Sequence, residues 1–227
     1  MRALRQTVEI LRKDLLLEWR RRARLVAVLV FAVNVLLLFS FALGADTGTL
    51  AKATGGLLML TLLFSSILAL GESFRAEHEH AALEGLLLLP MHPVGIFYGK
   101  AVANTLFLLL LAPLLVPAAL VLYGGALPAG QLLQLLALWA AIAAGLAGPG
   151  TLYAAMTGRL RSHDVLLPLL LFPLVIPVLV AGVRSMSLVL TGDPMAQLGG
   201  WVGLLVAFDV IYWSLCGVLF PYVVEEP

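Results

Sequence analysis

Long apolar segments, separated by short polar ones, dominate the chain. Six of them have the roughly 20 mainly apolar residues that a helix needs to cross a bilayer. They cover residues 25–45, 54–71, 101–123, 131–157, 165–183 and 198–222. Glycine pairs or polar clusters separate them, as at residues 124–125 and 158–164. The pattern predicts an all-α polytopic membrane protein with about six transmembrane helices, of which the second is short and the fourth is long.

Residues 1–24 have the pattern of an amphipathic helix instead. Five apolar residues recur at steps of three or four and form one stripe: Leu4, Val8, Leu11, Leu15 and Trp19. Most of the arginines and the lysine of this segment lie off the stripe. We expect an interfacial helix with its apolar stripe in membrane lipid and its cations near anionic headgroups. A basic tail that only sets topology is the alternative.

Lysine and arginine are distributed unevenly between the two predicted sides. All but two of the 14 fall in the N-terminal segment or in the second and fourth loops, and the two exceptions are Lys52 and Arg184. Because short loops rich in these residues stay in the cytoplasm, the distribution predicts a cytoplasmic N-terminus.

Composition supports a membrane protein and excludes several other classes. Hydrophobic residues make up 62% of the chain and charged residues 12%, whereas a soluble domain carries about twice that charged fraction. The net charge is +1, and no basic patch interleaved with aromatic residues lies beyond the N-terminal segment. We therefore expect no nucleic-acid partner.

The segment between the second and third spans, residues 72–100, is the most polar loop. It predicts a helix that ends before Pro90 and combines carboxylates with a run of leucines. Such a helix suits insertion into a groove of a partner protein, and a hydrated acidic face is the alternative. The candidate contact residues are Glu77, Glu79, His80, Leu83, Glu84, Leu87 and Leu88.

The sequence predicts no catalytic, cofactor-binding or metal site. His78 and His80 stand about 200° apart around a helix, so they cannot share a metal ion. His80 and Glu84 have a suitable spacing but no third ligand nearby. The chain also has no P-loop and no zinc-protease motif, so hydrolysis of ATP would require a separate subunit.

Two polar residues and several prolines interrupt the spans. Asp209 lies near the middle of the last span, where a charge costs about 2.5–3.5 kcal/mol on insertion scales. We expect Asp209 to face the bundle interior or a cavity, either as a pathway residue or as a structural acid. Asn34 in the first span can join two helices through its amide. Kinks are predicted at Pro113, Pro117, Pro168, Pro173 and Pro177, since proline removes a helical hydrogen bond.

The order of these features resembles the haem exporter protein B (CcmB) family, the permease subunits of the cytochrome c maturation ABC transporter. The resemblance covers nearly the whole chain and is most specific at residues 71–100 and 148–181. It includes the 83–90 segment (LEGLLLLP), Gly99-Lys100, Gly148-Pro149-Gly150 and the proline-rich run at 166–177. It implies a single permease domain over residues 1–227, with ABC-2-type exporter architecture, in a bacterial inner membrane. The helix at about residues 73–88 would be its coupling helix.

The resemblance also implies partners and a cargo. They are a second copy of the chain, a CcmA-like ATPase subunit that binds ATP, CcmC-like and CcmD-like membrane subunits, and a CcmE-like haem chaperone. Haem is the possible cargo. The resemblance also implies a role in remodelling the complex to release haem-loaded chaperone, and the absence of histidine from the predicted spans is consistent with that role. The alternatives are an ABC-2-type permease for a lipid, polysaccharide or drug, and a non-transporting scaffold for cofactor assembly.

Overall fold

All the regular secondary structure is helical in the part of the chain that the structure, a computed structural model, describes. The described ranges are residues 2–20, 22–44, 47–78, 92–124, 130–158, 163–193 and 195–225. Their helices are α1 (Arg2–Arg20), α2 (Arg22–Ala42), α3 (Thr47–His78), α4 (Pro93–Leu110), α5 (Ala112–Tyr123), α6 (Leu132–Thr157), α7 (His163–Leu174), α8 (Ile176–Thr191) and α9 (Leu198–Glu225). The predicted all-α class is confirmed.

Five described helical segments are long and apolar enough to cross a membrane, or six if the bent pair α7–α8 counts as one span. The five are Arg22–Ala42, Gly48–Phe74, Pro93–Tyr123, Leu132–Thr157 and Leu198–Val224. The chain is therefore a multi-pass membrane protein. The prediction of a short second span is wrong, because α3 has 32 residues. Its polar ends remain helical beyond the apolar stretch that the prediction used.

Prolines break two of the spans. The third span divides at Leu111 into α4 and α5, with Pro113 in the first turn of α5 and Pro117 inside it. The fifth span divides at Val175, and its two parts, α7 and α8, are bent by 62°. A proline at position 177 has no N–H to donate to the carbonyl of Pro173, which explains a break at this point.

The apolar core lies around α6, which contacts α3, α4, α7, α8 and α9. Trp139 is fully buried there, and its Nε1 donates a hydrogen bond to the Leu108 carbonyl at 3.0 Å. Small residues let neighbouring helices approach α6 closely. A Cβ atom on Gly148, for example, would lie 2.9 Å from the indole of Trp213.

Candidate functional site

Four helices meet at one end of the bundle: α1, the start of α2, the end of α3 and the start of α4. The end of α3 and the start of α4 flank residues 79–91, so this end is joined directly to the segment predicted to contact a partner. Five polar side chains define what we call the polar junction: Asp14, Glu18, Arg24, Lys100 and Asn104.

Helix α1 reaches the bundle through a close contact at Gly99 of α4. A Cβ atom at this position would lie 2.8 Å from the Ile10 Cβ and 3.0 Å from the Thr7 carbonyl oxygen. Nearby, the His92 backbone N–H donates a hydrogen bond to Gln6 Oε1 at 3.2 Å. The glycine of the Gly99-Lys100 pair therefore permits α1 to pack on the first turns of α4.

Lys100 is a buried cation with a counter-charge from α1. Its side chain is 2% exposed, and its Nζ lies 3.3 Å from Asp14 Oδ2. The Nζ also lies 4.6 Å from the centroid of the Phe74 ring at the end of α3. A buried ammonium group without a counter-charge would carry a desolvation cost of several kcal/mol. Asp14 thus allows a charged lysine at this position and ties α1 to α4.

Arg24 makes the second ionic contact with α1. Its Nη1 donates to Glu18 Oε2 at 2.7 Å, and its Nη2 donates to the Ala69 carbonyl oxygen of α3 at 2.7 Å. The guanidinium also lies 4.4 Å from the centroid of the Phe107 ring of α4. This one side chain, at the start of α2, therefore contacts three other helices.

A hydrogen-bonded pair extends the junction into the core. Asn104 Oδ1 accepts a hydrogen bond from Arg24 Nη2 at 3.4 Å, and Asn104 Nδ2 donates to Thr151 Oγ1 of α6 at 3.0 Å. Asn104 and Thr151 are both buried. The junction thereby connects α1 to the central helix through side chains alone.

The two faces of α1 have different roles in this arrangement. Ile10, Asp14 and Glu18, spaced four residues apart, form the face toward the bundle. Val8 and Leu15 of the predicted lipid stripe are 60% and 40% exposed, and Leu11 is half-buried. The side chains of Leu4 and Trp19, the other stripe residues, lie outside the described part.

Most of the predicted partner-contact residues lie outside the described residues. They are Glu79, His80, Leu83, Glu84, Leu87 and Leu88; Glu77 lies in the last turn of α3, with its side chain undescribed. Helix α3 continues without a break from the second span to His78. The described part of the expected coupling helix, residues 73–78, is thus the end of the second span's own helix. Partner contact stays a prediction.

Asp209 of α9 lies against the central helix. A Cβ atom on Gly145 of α6 would be 2.9 Å from Asp209 Oδ1 and 3.0 Å from Val178 of α8. This oxygen is buried and has no hydrogen-bond partner among the described residues. One turn later, Trp213 Nε1 donates to the Ala144 carbonyl oxygen at 3.0 Å. We call Asp209, Trp213 and the facing glycines 145 and 148 the glycine contact.

Asn34 has a different environment. Helix α2 packs on the bundle through Val28, Ala32 and Leu36, whereas Asn34 is exposed on another face. No described residue forms a hydrogen bond with it. Among the described helices, therefore, its amide does not join α2 to a second one, because Asn34 lies off the packing stripe.

Comparison with known proteins supplies the family. The family described as "CcmB protein" matches residues 5–225. The chain belongs to the CcmB family. It is 32% identical over 199 residues to Heme exporter protein B of Pseudomonas aeruginosa, covering 87% of this chain and 88% of that protein. The namesake in Haemophilus influenzae is 31% identical, with 76% and 77% covered, and that in Paracoccus denitrificans is 31% identical, with 83% and 86% covered.

Family membership confirms the resemblance that the sequence suggested, but the polar junction was missed. From sequence, Lys100 counts only as a loop cation and Arg24 only as the end of a basic segment. The available signal was the spacing of Asp14 and Glu18, two acids one turn apart within that basic segment. Among the described residues of this CcmB family member, no three His, Cys, Asp or Glu side chains are placed to hold a metal ion.

Proposed function

We propose that the chain is the non-catalytic membrane permease subunit of an ABC transporter complex that handles haem for c-type cytochrome biogenesis. The observation that carries this proposal is the similarity to proteins named Heme exporter protein B over three quarters or more of the chain. The apolar helices of the described structure suit a permease.

In this proposal a CcmA-like subunit hydrolyses ATP and acts on residues 72–100. The polar junction supports such coupling because it holds both ends of that segment. Phe74, near the start of the segment, and Lys100, at its end, are in contact, and Lys100 pairs with α1. A displacement of the segment would therefore be transmitted to α1 and, through Asn104 and Thr151, to α6.

The coupling is tested by reversing the charges of the segment. Changing Glu77, Glu79 and Glu84 to Lys should leave the membrane bundle intact but reduce co-purification of the ATPase subunit. The control reverses two exposed charges at the other end of the bundle, Lys52→Glu and Arg184→Glu. Wild-type recovery of the ATPase subunit and wild-type cytochrome maturation in the triple variant would show that the segment is only a solvated connector.

The complex would contain two copies of this chain, with CcmC-like and CcmD-like membrane subunits and a CcmE-like chaperone whose haem-loaded form is released on remodelling. Purifying the tagged chain and identifying the proteins that accompany it tests this composition. Recovery of lipid-, polysaccharide- or drug-export components instead would favour the first alternative function. ATPase activity independent of this chain would favour a scaffold.

We further propose that the polar junction faces the cytoplasm of a bacterium, with the chain in the inner membrane. The excess of lysine and arginine on that side supports the orientation. The opposite end of the bundle, where α3 begins and α8 ends, would then face outward, and it has a cavity of about 230 Å³ lined in part by Gly48, Lys52 and Thr191.

The orientation is tested by labelling. Cysteines at Thr47 and Gly192, next to that cavity, should react with an impermeant reagent in intact cells, and a cysteine at Ser162 should not. Labelling of the cysteine at position 162 in intact cells would show that the chain has the opposite orientation.

A further inference from the structure

The other described helices leave most of the surface of α2 uncovered. Only 17% of its most apolar stretch is buried, against 67% for α3. Large apolar side chains cover much of the uncovered surface, among them Val30, Leu38 and Phe41. A helix with such a surface can lie against lipid, so this observation alone does not identify a contact.

Asn34 makes this face unlike an ordinary lipid-facing surface. It is the 13th of the 21 residues of α2, near mid-membrane, where no water competes for its amide. A carboxamide has two N–H donors and one oxygen acceptor, and none of them is paired within the described chain. A polar group left unpaired in hydrocarbon is costly, so a polar group from outside the chain is expected to cover Asn34.

We propose that α2 of a second copy of this chain covers this face, with the two Asn34 amides hydrogen-bonded to each other. This inference rests on the dimer in the proposed function and names its contact surface. Two copies with the same topology are related by a two-fold axis along the membrane normal, which puts each residue at the same depth as its counterpart. An amide is both donor and acceptor, so it is complementary to itself across such an axis.

The spacing of residues on this face fits two helices packed side by side. Ala27, Asn34 and Phe41 are all exposed and stand seven residues apart, the repeat of helices that pack along their length. Ala27 is small, which permits close approach of the two backbones.

Helix α9 provides the internal contrast. It is also largely uncovered, with 22% of its most apolar stretch buried. Within its apolar stretch, the exposed Ser214 hydroxyl already donates to the Val210 carbonyl oxygen at 2.7 Å, and the other exposed hydroxyl, on Tyr222, lies in the last turn of the helix. The Ser214 hydroxyl is therefore paired within its own helix, so lipid is a sufficient environment for this part of the face.

Cysteine cross-linking in membranes from cells that express the complete complex tests the contact. In a Cys216→Ser background, which removes the one native cysteine, Asn34→Cys should form a disulfide-linked dimer under copper phenanthroline. The control is Val210→Cys, whose side chain is 63% exposed on α9 and should stay monomeric. Cross-linking of Asn34→Cys no stronger than the control would overturn the proposal in favour of lipid. A product of another mass would overturn it in favour of another subunit.

The role of the amide is tested separately. Asn34→Leu should weaken dimerisation of the full chain about threefold, and at most about twentyfold, which correspond to the average and the largest effects measured for hydrogen bonds between membrane helices. Asn34→Gln should restore dimerisation. Energy transfer between two labelled copies in bilayers gives the measurement. Wild-type dimerisation of the Leu variant would overturn the amide pairing. ATPase recovery by the wild-type chain is measured in parallel. If the wild-type chain recovers the ATPase subunit, the proposed function stands even when the amide pairing fails; a wild-type dimer that recovers no ATPase subunit would count against the proposed function alone.

Discussion

The polar junction and the glycine contact bury ionisable side chains in two different ways. Both acids of the junction face a cation: Asp14 faces Lys100, and Glu18 faces Arg24. At the glycine contact, Asp209 Oδ1 lies against Gly145, which has no side chain. This oxygen has no hydrogen-bond partner among the described residues. The junction therefore depends on paired charges, whereas the glycine contact depends on the space left by Gly145 and Gly148.

This difference determines which kind of substitution destabilises each region most. Removing one member of a buried ion pair leaves the other charge without compensation, which is more damaging than losing the pair. Filling the space beside a glycine forces neighbours apart whatever the charge of the acid. The two regions should thus respond to opposite kinds of substitution.

The largest effect is expected from Lys100→Met at the junction. Loss of this cation leaves Asp14, 16% exposed, without its buried partner, and should lower the free energy of unfolding by about 3 kcal/mol. Denaturant unfolding of the full chain in detergent measures this free energy.

Adding Asp14→Asn to Lys100→Met should recover much of the loss. Lys13→Met is the control. The Lys13 side chain, which pairs with the same Asp14, is 35% exposed, and pairs of exposed side chains contribute below about 1 kcal/mol. Additive losses in the double variant would show that the pair is not coupled.

A steric substitution should have the next largest effect. In Gly148→Ala, the new methyl group would lie 2.9 Å from the Trp213 indole nitrogen, which already donates to the Ala144 carbonyl oxygen. We expect a loss of about 1–3 kcal/mol, as for overpacked cores, in the same unfolding assay. Gly203→Ala on α9 is the matched control, since nothing lies within 4 Å of its added Cβ. Equal stability of the two variants would mean that α6 and α9 are not closely packed.

The smallest effect is expected from a change of charge at the glycine contact. Asp209→Asn keeps the shape and polarity of the side chain without a charge to desolvate, so complex yield and cytochrome c maturation should match the wild type. Asp209→Leu should reduce both, because it puts a branched apolar group against Gly145 in place of a polar one. Both variants are compared in a strain that lacks the native protein. A fully active Leu variant would show that the acid has no internal role.

Much of the fold could be predicted from one-dimensional patterns. The third and fifth spans show why only part of the candidate site could be predicted in the same way. Pro177 explains the break at Val175, because loss of an N–H is a property of the residue itself, whereas Pro117, Pro168 and Pro173 lie inside helices. The third span, however, begins at Pro93 and not near residue 101, since a buried Lys100 is indistinguishable from a loop lysine until its counter-charge is known. Likewise, nothing near Asn34 in the sequence tells which side of α2 packs on the bundle.

The sequence by itself determined the all-α class, the approximate number and order of the apolar helices, the amphipathic α1 and the family. Each of these depends on the residue types at local spacings, and helix formation in an apolar stretch needs no distant partner. Only the tertiary structure decided that Asp14 meets Lys100, that Glu18 meets Arg24, and that Asp209 faces Gly145. These pairs are 86, 6 and 64 residues apart in the chain. Their contacts follow from how the helices pack, because no local pattern specifies which faces meet.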